Sequence, residues 1–208
     1  MTKGYFITLE GIEGAGKSTH LDFIAGLLAE GGNEVCVTRE PGGTATGEAI
    51  REILLHSNEL PISAITELTL IFAARAQHLQ EVIRPALENN AIVVCDRFTD
   101  ATYAYQGGGR GVPEVRIRVL EDLIQDGLKP DLTLLFDVEV ETGMARVKNR
   151  GSADRFESET IRFFERVRNA YLKNAVTEPQ RIHVIDAGRE LQLIQQEITA
   201  LFKKKNLC

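Results

Sequence analysis

Five short apolar runs rich in β-branched residues punctuate the chain, at Tyr5 to Leu9, Glu34 to Thr38, Ala91 to Cys95, Leu132 to Val138 and Arg181 to Ile185. The gaps between them carry helical spacing, over Ser18 to Glu30, Thr46 to Leu55, Ile62 to Glu88, Pro113 to Gln125, Val140 to Asn149 and Glu157 to Ala175, and Glu190 to Lys204 follows the last run. A crossover helix between consecutive strands makes them parallel, and runs apolar on both faces fit strands covered by helices on both sides. The predicted fold class is α/β, a three-layer fold with a five-stranded parallel sheet flanked by helices. At 208 residues with 43% hydrophobic content the chain can bury one sizeable core. The expected organisation is a single domain over 1–208 with a mobile lid at about 146–157.

Punctuation agrees with that outline. Gly31 and Gly32 stop the first helix, Pro113 suits the first turn of another, and Pro130 precedes a strand after a helix that ends at Gly127. Pro85 is expected to kink the long third helix, and Gly107 to Gly111 reads as a glycine-rich turn.

Gly11-Ile12-Glu13-Gly14-Ala15-Gly16-Lys17-Ser18 fits the pattern G-x-x-x-x-G-K-[ST] without a departure, between an apolar strand and an amphipathic helix. Backbone N–H groups and the positive helix end converge there on an anion with several oxygens. These eight residues and Thr19 are the expected ATP-binding set, with Lys17 reaching the β and γ oxygens and the Ser18 hydroxyl ligating magnesium. Asp96 closes the third apolar run, where ligands collect in open α/β sheets, and is the expected second magnesium ligand.

Charge narrows the partners. Lysine and arginine total 24 against 30 aspartates and glutamates, a formal charge of -6, which argues against broad binding to nucleic acid or anionic membranes. An anionic ligand must then be met by a local cluster of cations. Cys36, Cys95 and Cys208 are too scattered for a disulfide framework, and no apolar run reaches the length of a membrane span. The expected compartment is the cytoplasm.

The phosphate loop alone does not choose among nucleotide switches, mechanical ATPases and small kinases. Four further segments do: Thr38-Arg39-Glu40-Pro41-Gly42-Gly43-Thr44, Phe72-Ala73-Ala74-Arg75, Asp96-Arg97-Phe98 and Ala104-Tyr105-Gln106-Gly107. With Glu13 inside the loop, they make the chain resemble the bacterial thymidylate kinases over essentially its whole length. The resemblance implies transfer of the γ-phosphoryl group of ATP to dTMP, with Mg2+, in a homodimer. It implies that Arg97 grips the acceptor phosphate, that Arg75 and Gln106 hydrogen-bond the thymine edge, and that Glu13 meets the 3′-hydroxyl. Tyr105 is expected near the sugar and Glu40-Pro41 as a cis peptide, with Arg51, Phe72 and Thr102 completing the acceptor site. The family's stacking aromatic aligns with Ile71, one position before Phe72, so which of the two lines the base is open.

A phosphate monoester already carries charge near neutral pH and needs no general base, so the chemical problem is repulsion between two polyanions. Lys17 and Arg97 supply two cations. None of the loop variables Ile12, Glu13, Gly14 and Ala15 is basic, so a third cation is expected from the lid: Arg150 first, with Arg146, Lys148 and Arg155 as supporting or adenine-side contacts. Two rival readings stand beside this one, a different small phosphoryl acceptor and a nucleotide-dependent switch with a protein partner.

Overall fold

The computed structural model describes residues 4–56, 61–148, 155–157 and 159–208. Strands β1 (Tyr5–Glu10), β2 (Val35–Arg39), β3 (Ile92–Asp96), β4 (Leu132–Asp137) and β5 (Ile182–Asp186) form one sheet in the order β2-β3-β1-β4-β5, with every neighbouring pair parallel. The helices are α1 (Lys17–Glu30), α2 (Ala45–His56), α3 (Ala64–His78), α4 (Arg84–Glu88), α5 (Thr99–Thr102), α6 (Glu114–Gln125), α7 (Val140–Lys148), α8 (Ile161–Thr177) and α9 (Leu191–Lys204).

Central strands are buried on both faces, as the unbroken apolar runs require: Phe6, Ile7, Leu9, Val93, Val94, Cys95, Leu134 and Phe136 are all inaccessible. Each Val, Leu, Ile or Phe so buried contributes roughly 1.5–3 kcal/mol over leaving it exposed. Register aligns the carboxyl ends, with Leu9 and Arg39 both opposite Asp96 and Glu10 opposite Leu135. Everything that leaves the sheet at that edge therefore converges on one crevice.

Helix ends follow local chemistry. The hydroxyl oxygens of Ser63 and Thr160 accept the N–H groups of Thr66 and Phe163 at the starts of α3 and α8. Gly31 and Gly32 close α1, and Asp126 in the left-handed region followed by Gly127 closes α6.

Two segments depart from the sequence expectation. The long third helix is unbroken, but α3 passes through a π turn, Leu79–Ile83, before α4. Pro85 has no N–H and its ring crowds the carbonyl four residues back, Glu81, which accounts for the widened turn just upstream. The glycine-rich stretch is no turn either: α5 runs into a second π segment, Tyr103–Gly109. A Cβ on Gly108 would stand 2.7 Å from the Ala170 Cβ, and one on Gly109 would stand 2.5 Å from the Phe163 ring. These glycines let this segment lie against α8, where Arg166 donates to both carbonyl oxygens. Low helix propensity hid the helix in the sequence, and tertiary contact maintains it.

Candidate active site

The loop after β1 holds Gly11, Gly14 and Gly16 at positive φ, and its residues Glu13, Gly14, Gly16, Lys17 and Ser18 line the main cavity at the carboxyl edge of the sheet. Gly11, Ile12 and Ala15 are buried behind the loop surface, and Thr19 is exposed on α1 away from the cavity wall. Lys17 is buried, and its Nζ donates to the carbonyl oxygens of Gly11 and Ile12, each at 2.9 Å. Burial lowers its pKa to about 8, the Arg97 charge adds to that, and the carboxylates of Asp96, Glu13 and Glu10 work against it. An anion in the loop would stabilise the ammonium form.

Arg97, the first residue after β3, has φ 71, and its N–H donates to the Leu9 carbonyl. That backbone conformation is uncommon for a residue with a side chain, and it turns the guanidinium back over the loop. Nη1 donates to Gly11 O at 3.0 Å and to the Tyr171 hydroxyl at 3.2 Å, and Nη2 donates to Glu13 Oε1 at 2.9 Å. The guanidinium lies 4.8 Å above the centre of the Tyr105 ring, whose hydroxyl donates to Glu13 Oε2 at 2.5 Å. Arg97, Glu13 and Tyr105 thus form one connected unit.

Beneath it lie two residues that the sequence reading passed over. Tyr171 on α8 donates to Glu10 Oε2 at 2.8 Å, and the Phe98 N–H donates to Glu10 Oε1 at 2.7 Å. Burial and the neighbouring Asp100 push the Glu10 carboxyl well above its ordinary range, against Arg97, Tyr171 and the Phe98 N–H, which favour its charged form. The signal available in the sequence was a carboxylate at the end of an apolar strand.

At the other end of the cavity Arg75 is 1% exposed. Its Nε donates to Glu40 Oε2 at 2.8 Å and its Nη2 to the Thr102 hydroxyl at 3.0 Å, with Phe72 and Phe98 rings 4.8 and 4.9 Å from the guanidinium. Its Nη1 is buried with no partner among the described residues. A donor left so is unfavourable by about 1–3 kcal/mol, and an acceptor on a bound ligand removes that penalty. Glu40 precedes Pro41 across a cis peptide bond, its other oxygen meets His78 Nδ1, and Arg51 donates to the Pro41 carbonyl at 2.8 Å.

Gln106 lines the same end and donates from Nε2 to Glu67 Oε1 at 2.7 Å. Of the two aromatic-position candidates, Ile71 lines the cavity and Phe72 does not. Adjacent helix positions point about 100° apart, and the face that carries Phe72 packs against Leu68, Val112 and Ile117 in a small core. Phe72, expected as a base contact, thus packs behind Arg75 and outside the cavity lining. Leu54, Leu55, Ala101 and Phe156 add apolar wall that sequence reading missed, because isolated aliphatic residues on helices carry no signal of facing a ligand.

Among the basic residues of the expected lid, Arg146 on α7 donates to the carbonyl oxygens of Gly14 and Ala187, at the back of the phosphate loop. Arg155 donates to Glu67 Oε2 at 2.6 Å and to Leu54 O at 2.7 Å, and through Glu67 it is linked to Gln106. Lys148 ends α7, and Arg150 lies outside the described residues.

Among the described residues no group of three His, Cys, Asp or Glu side chains could hold a metal ion. A magnesium site needs less, one or two protein oxygens with the rest from phosphate and water. The chain offers that pair: Ser18 and Asp96 both line the cavity, and Asp96 Oδ1 is buried with no hydrogen-bond partner among the described residues. The cavity as a whole joins the glycine-rich loop, with Lys17 and Arg97, at one end to Arg75, Glu40 and Gln106 at the other.

The sequence model of the family described as thymidylate kinase matches residues 9–198. Thymidylate kinase of Pseudomonas putida strain GB-1 is 58% identical to this chain over 198 residues, 95% of this chain and 94% of the relative. That of Ectopseudomonas mendocina strain ymp is 59% identical over the same shares. Among solved structures, the crystal structure of thymidylate kinase from Ehrlichia chaffeensis superposes with a TM-score of 0.78 at 35% identity, covering 97% of this chain and 99% of that one.

Proposed function

The chain belongs to the thymidylate kinase family, a phosphotransferase with ATP as donor and thymidine monophosphate as acceptor, and from that premise we propose how its cavity divides the work. One observation carries the division: a single cavity is lined at one end by Lys17 and Arg97 and at the other by Arg75, whose buried Nη1 has no acceptor among the described residues. The loop Gly11 to Ser18 holds the ATP phosphates. Arg75 Nη1 and Gln106 read the thymine edge, and Glu13 and Tyr105 take the sugar. Arg97 binds the acceptor phosphate.

The acceptor oxygen is already nucleophilic, so these residues act by position and charge. Arg97 is held by Gly11, Glu13 and Tyr171, so its fork meets two anions without reorganising at the moment of transfer. Lys17, released from its loop carbonyls, neutralises charge on the transferring group. Ser18 and Asp96 would hold magnesium, which when bound offsets charge on the β- and γ-phosphates. Arg150 is proposed as the third cation, on the ground that no loop variable is basic.

Two wider readings go with this one. No helix among the described residues is long and apolar enough to cross a membrane, and with a formal charge of -6 this supports a cytoplasmic enzyme without nucleic-acid partners. Val115, Val119 and Leu123 stand exposed along one face of α6, with Ile65 exposed on α3, which supports a homodimer through these helices. Sedimentation of a Val119→Asp, Leu123→Asp variant as a monomer, against a wild-type dimer, tests that part.

The deciding experiment is steady-state ADP production with ATP, magnesium and a panel of nucleoside monophosphates. Fast turnover is expected with thymidine monophosphate and is expected to be lost in Arg97→Ala. Equal turnover with every monophosphate, or none with any, overturns the division of roles.

A further inference from the structure

Gln106 can read a base edge only if its carboxamide has one fixed sense, since flipping it exchanges donor and acceptor at the same place. Glu67, on the buried side of α3, sets that sense. The carboxylate is 1% exposed, and three side chains converge on it. Arg110 Nε donates to Oε1 at 3.2 Å and to Oε2 at 3.3 Å, Arg155 Nη2 donates to Oε2 at 2.6 Å, and Gln106 Nε2 to Oε1 at 2.7 Å.

Guanidinium groups donate and never accept. Both Glu67 oxygens therefore act as acceptors toward the arginines, and neither is left to donate to Gln106. The carboxamide must turn its NH2 to Glu67, which leaves its Oε1 acceptor for the cavity that Gln106 lines. The same cavity is lined by Arg75, whose buried Nη1 donor has no partner among the described residues. An acceptor and a donor in one cavity match a pyrimidine that shows N3–H next to a C4 carbonyl. A cytosine, with a bare N3 next to an amine, presents the reverse at both positions.

We propose that Glu67, with Arg110 and Arg155 fixing its acceptor character, is a specificity-determining positioning residue that selects a 4-oxo over a 4-amino pyrimidine monophosphate without touching it. The proposal rests on the assignment of Gln106 to the base edge. Sequence alone hides it, because Glu67 precedes Gln106 by 39 residues.

The test compares kcat/KM for dTMP and dCMP in wild type, Glu67→Gln and Glu67→Asp. Glutamine can donate where glutamate cannot, so Gln106 loses its fixed sense. The dTMP to dCMP ratio is expected to fall roughly ten- to a hundredfold, chiefly through KM, because a mismatched buried polar contact carries a penalty of that size. Aspartate keeps an acceptor-only group on a shorter stem, so KM for dTMP rises while the ratio stays within about threefold of wild type. A ratio unchanged in Glu67→Gln, with only melting temperature lowered, reduces Glu67 to a structural role. A ratio lost in Glu67→Asp overturns the polarity argument on its own, even if Glu67→Gln fails to fold. A wild-type chain that does not prefer dTMP fails at the earlier step, the base-edge assignment itself, and takes this inference with it.

Discussion

Gly14 and Gly143 meet backbone to backbone: a Cβ on Gly14 would stand 2.1 Å from the Gly143 carbonyl oxygen, and one on Gly143 would stand 2.6 Å from the Glu13 carbonyl oxygen. The phosphate loop is thus pressed against α7, the helix that leads to the basic stretch. Gly143 sits inside a helix, where alanine would ordinarily add about 0.5–1 kcal/mol of stability. Here backbone must shift to admit the methyl group, because the nearest atom is the Glu13 carbonyl oxygen of the loop. Gly143→Ala should weaken ATP binding several-fold or more and lower kcat. Gly26→Ala on α1, where a Cβ meets nothing within 4 Å, should instead raise the melting temperature with ATP affinity unchanged. Calorimetric titration of ATP into both variants decides, and equal affinities would contradict the contact argument.

Among the described residues, Arg97 Nη1 donates to the Tyr171 hydroxyl and the Gly11 carbonyl oxygen. Tyr171→Phe removes one acceptor from Arg97 and one donor from Glu10 without changing packing volume. A loss of about 1–3 kcal/mol in stability follows from the buried groups left short. Because Arg97 is then less fixed, kcat should fall more than ATP affinity. A variant with normal kcat and only a lowered melting temperature would confine Tyr171 to the core.

Burial raises the Glu10 pKa, so the folded chain holds a proton there that the unfolded chain has released. Such a group contributes stability that is fully present below its ordinary value near 4.5 and is lost as pH rises through the raised value. Lys17 acts in the opposite sense, since a lowered folded pKa of about 8 withdraws stability as pH falls through it. The difference between wild type and Glu10→Gln isolates the carboxyl. Chemical denaturation from pH 5 to 9 should therefore show wild type losing stability relative to Glu10→Gln as pH rises, and parallel curves would mean that Glu10 titrates normally.

Strand positions, helix order and the phosphate loop were legible because each rests on local pattern: an apolar run, a period, a glycine spacing. Arg97, Arg75 and Gln106 were legible through family segments, and the structure brings them to one cavity. What stayed hidden depends on contacts between distant residues. Phe72 and Ile71 are both apolar neighbours on α3, and only the packing of Val112 and Ile117 tells inside from cavity. Gly107 to Gly111 reads as a turn because propensity disfavours helix, until α8 supplies the reason for the missing side chains at Gly108 and Gly109. Glu67, Glu10 and Tyr171 lie outside the family segments quoted for the site, and their roles come from burial and bonding partners far along the chain.

Lys17 offers a measurement of the loop before any chemistry. In the structure its Nζ rests on the Gly11 and Ile12 carbonyls, and burial brings its pKa to about 8. A bound polyphosphate favours the charged form and must raise that value, so at pH 8 ATP binding should take up to about half a proton onto the chain. ATP itself is fully ionised there, because a terminal phosphate titrates near pH 6. Titrations in buffers of different ionisation enthalpy read the transfer directly. Heat should change with buffer in the sense of proton uptake at pH 8, with a smaller contribution from Lys17 at pH 7, where the ammonium already predominates. No buffer dependence at pH 8 would mean that Lys17 keeps its full charge without a ligand, and the loop would then be held together by an ammonium that nucleotide only has to redirect.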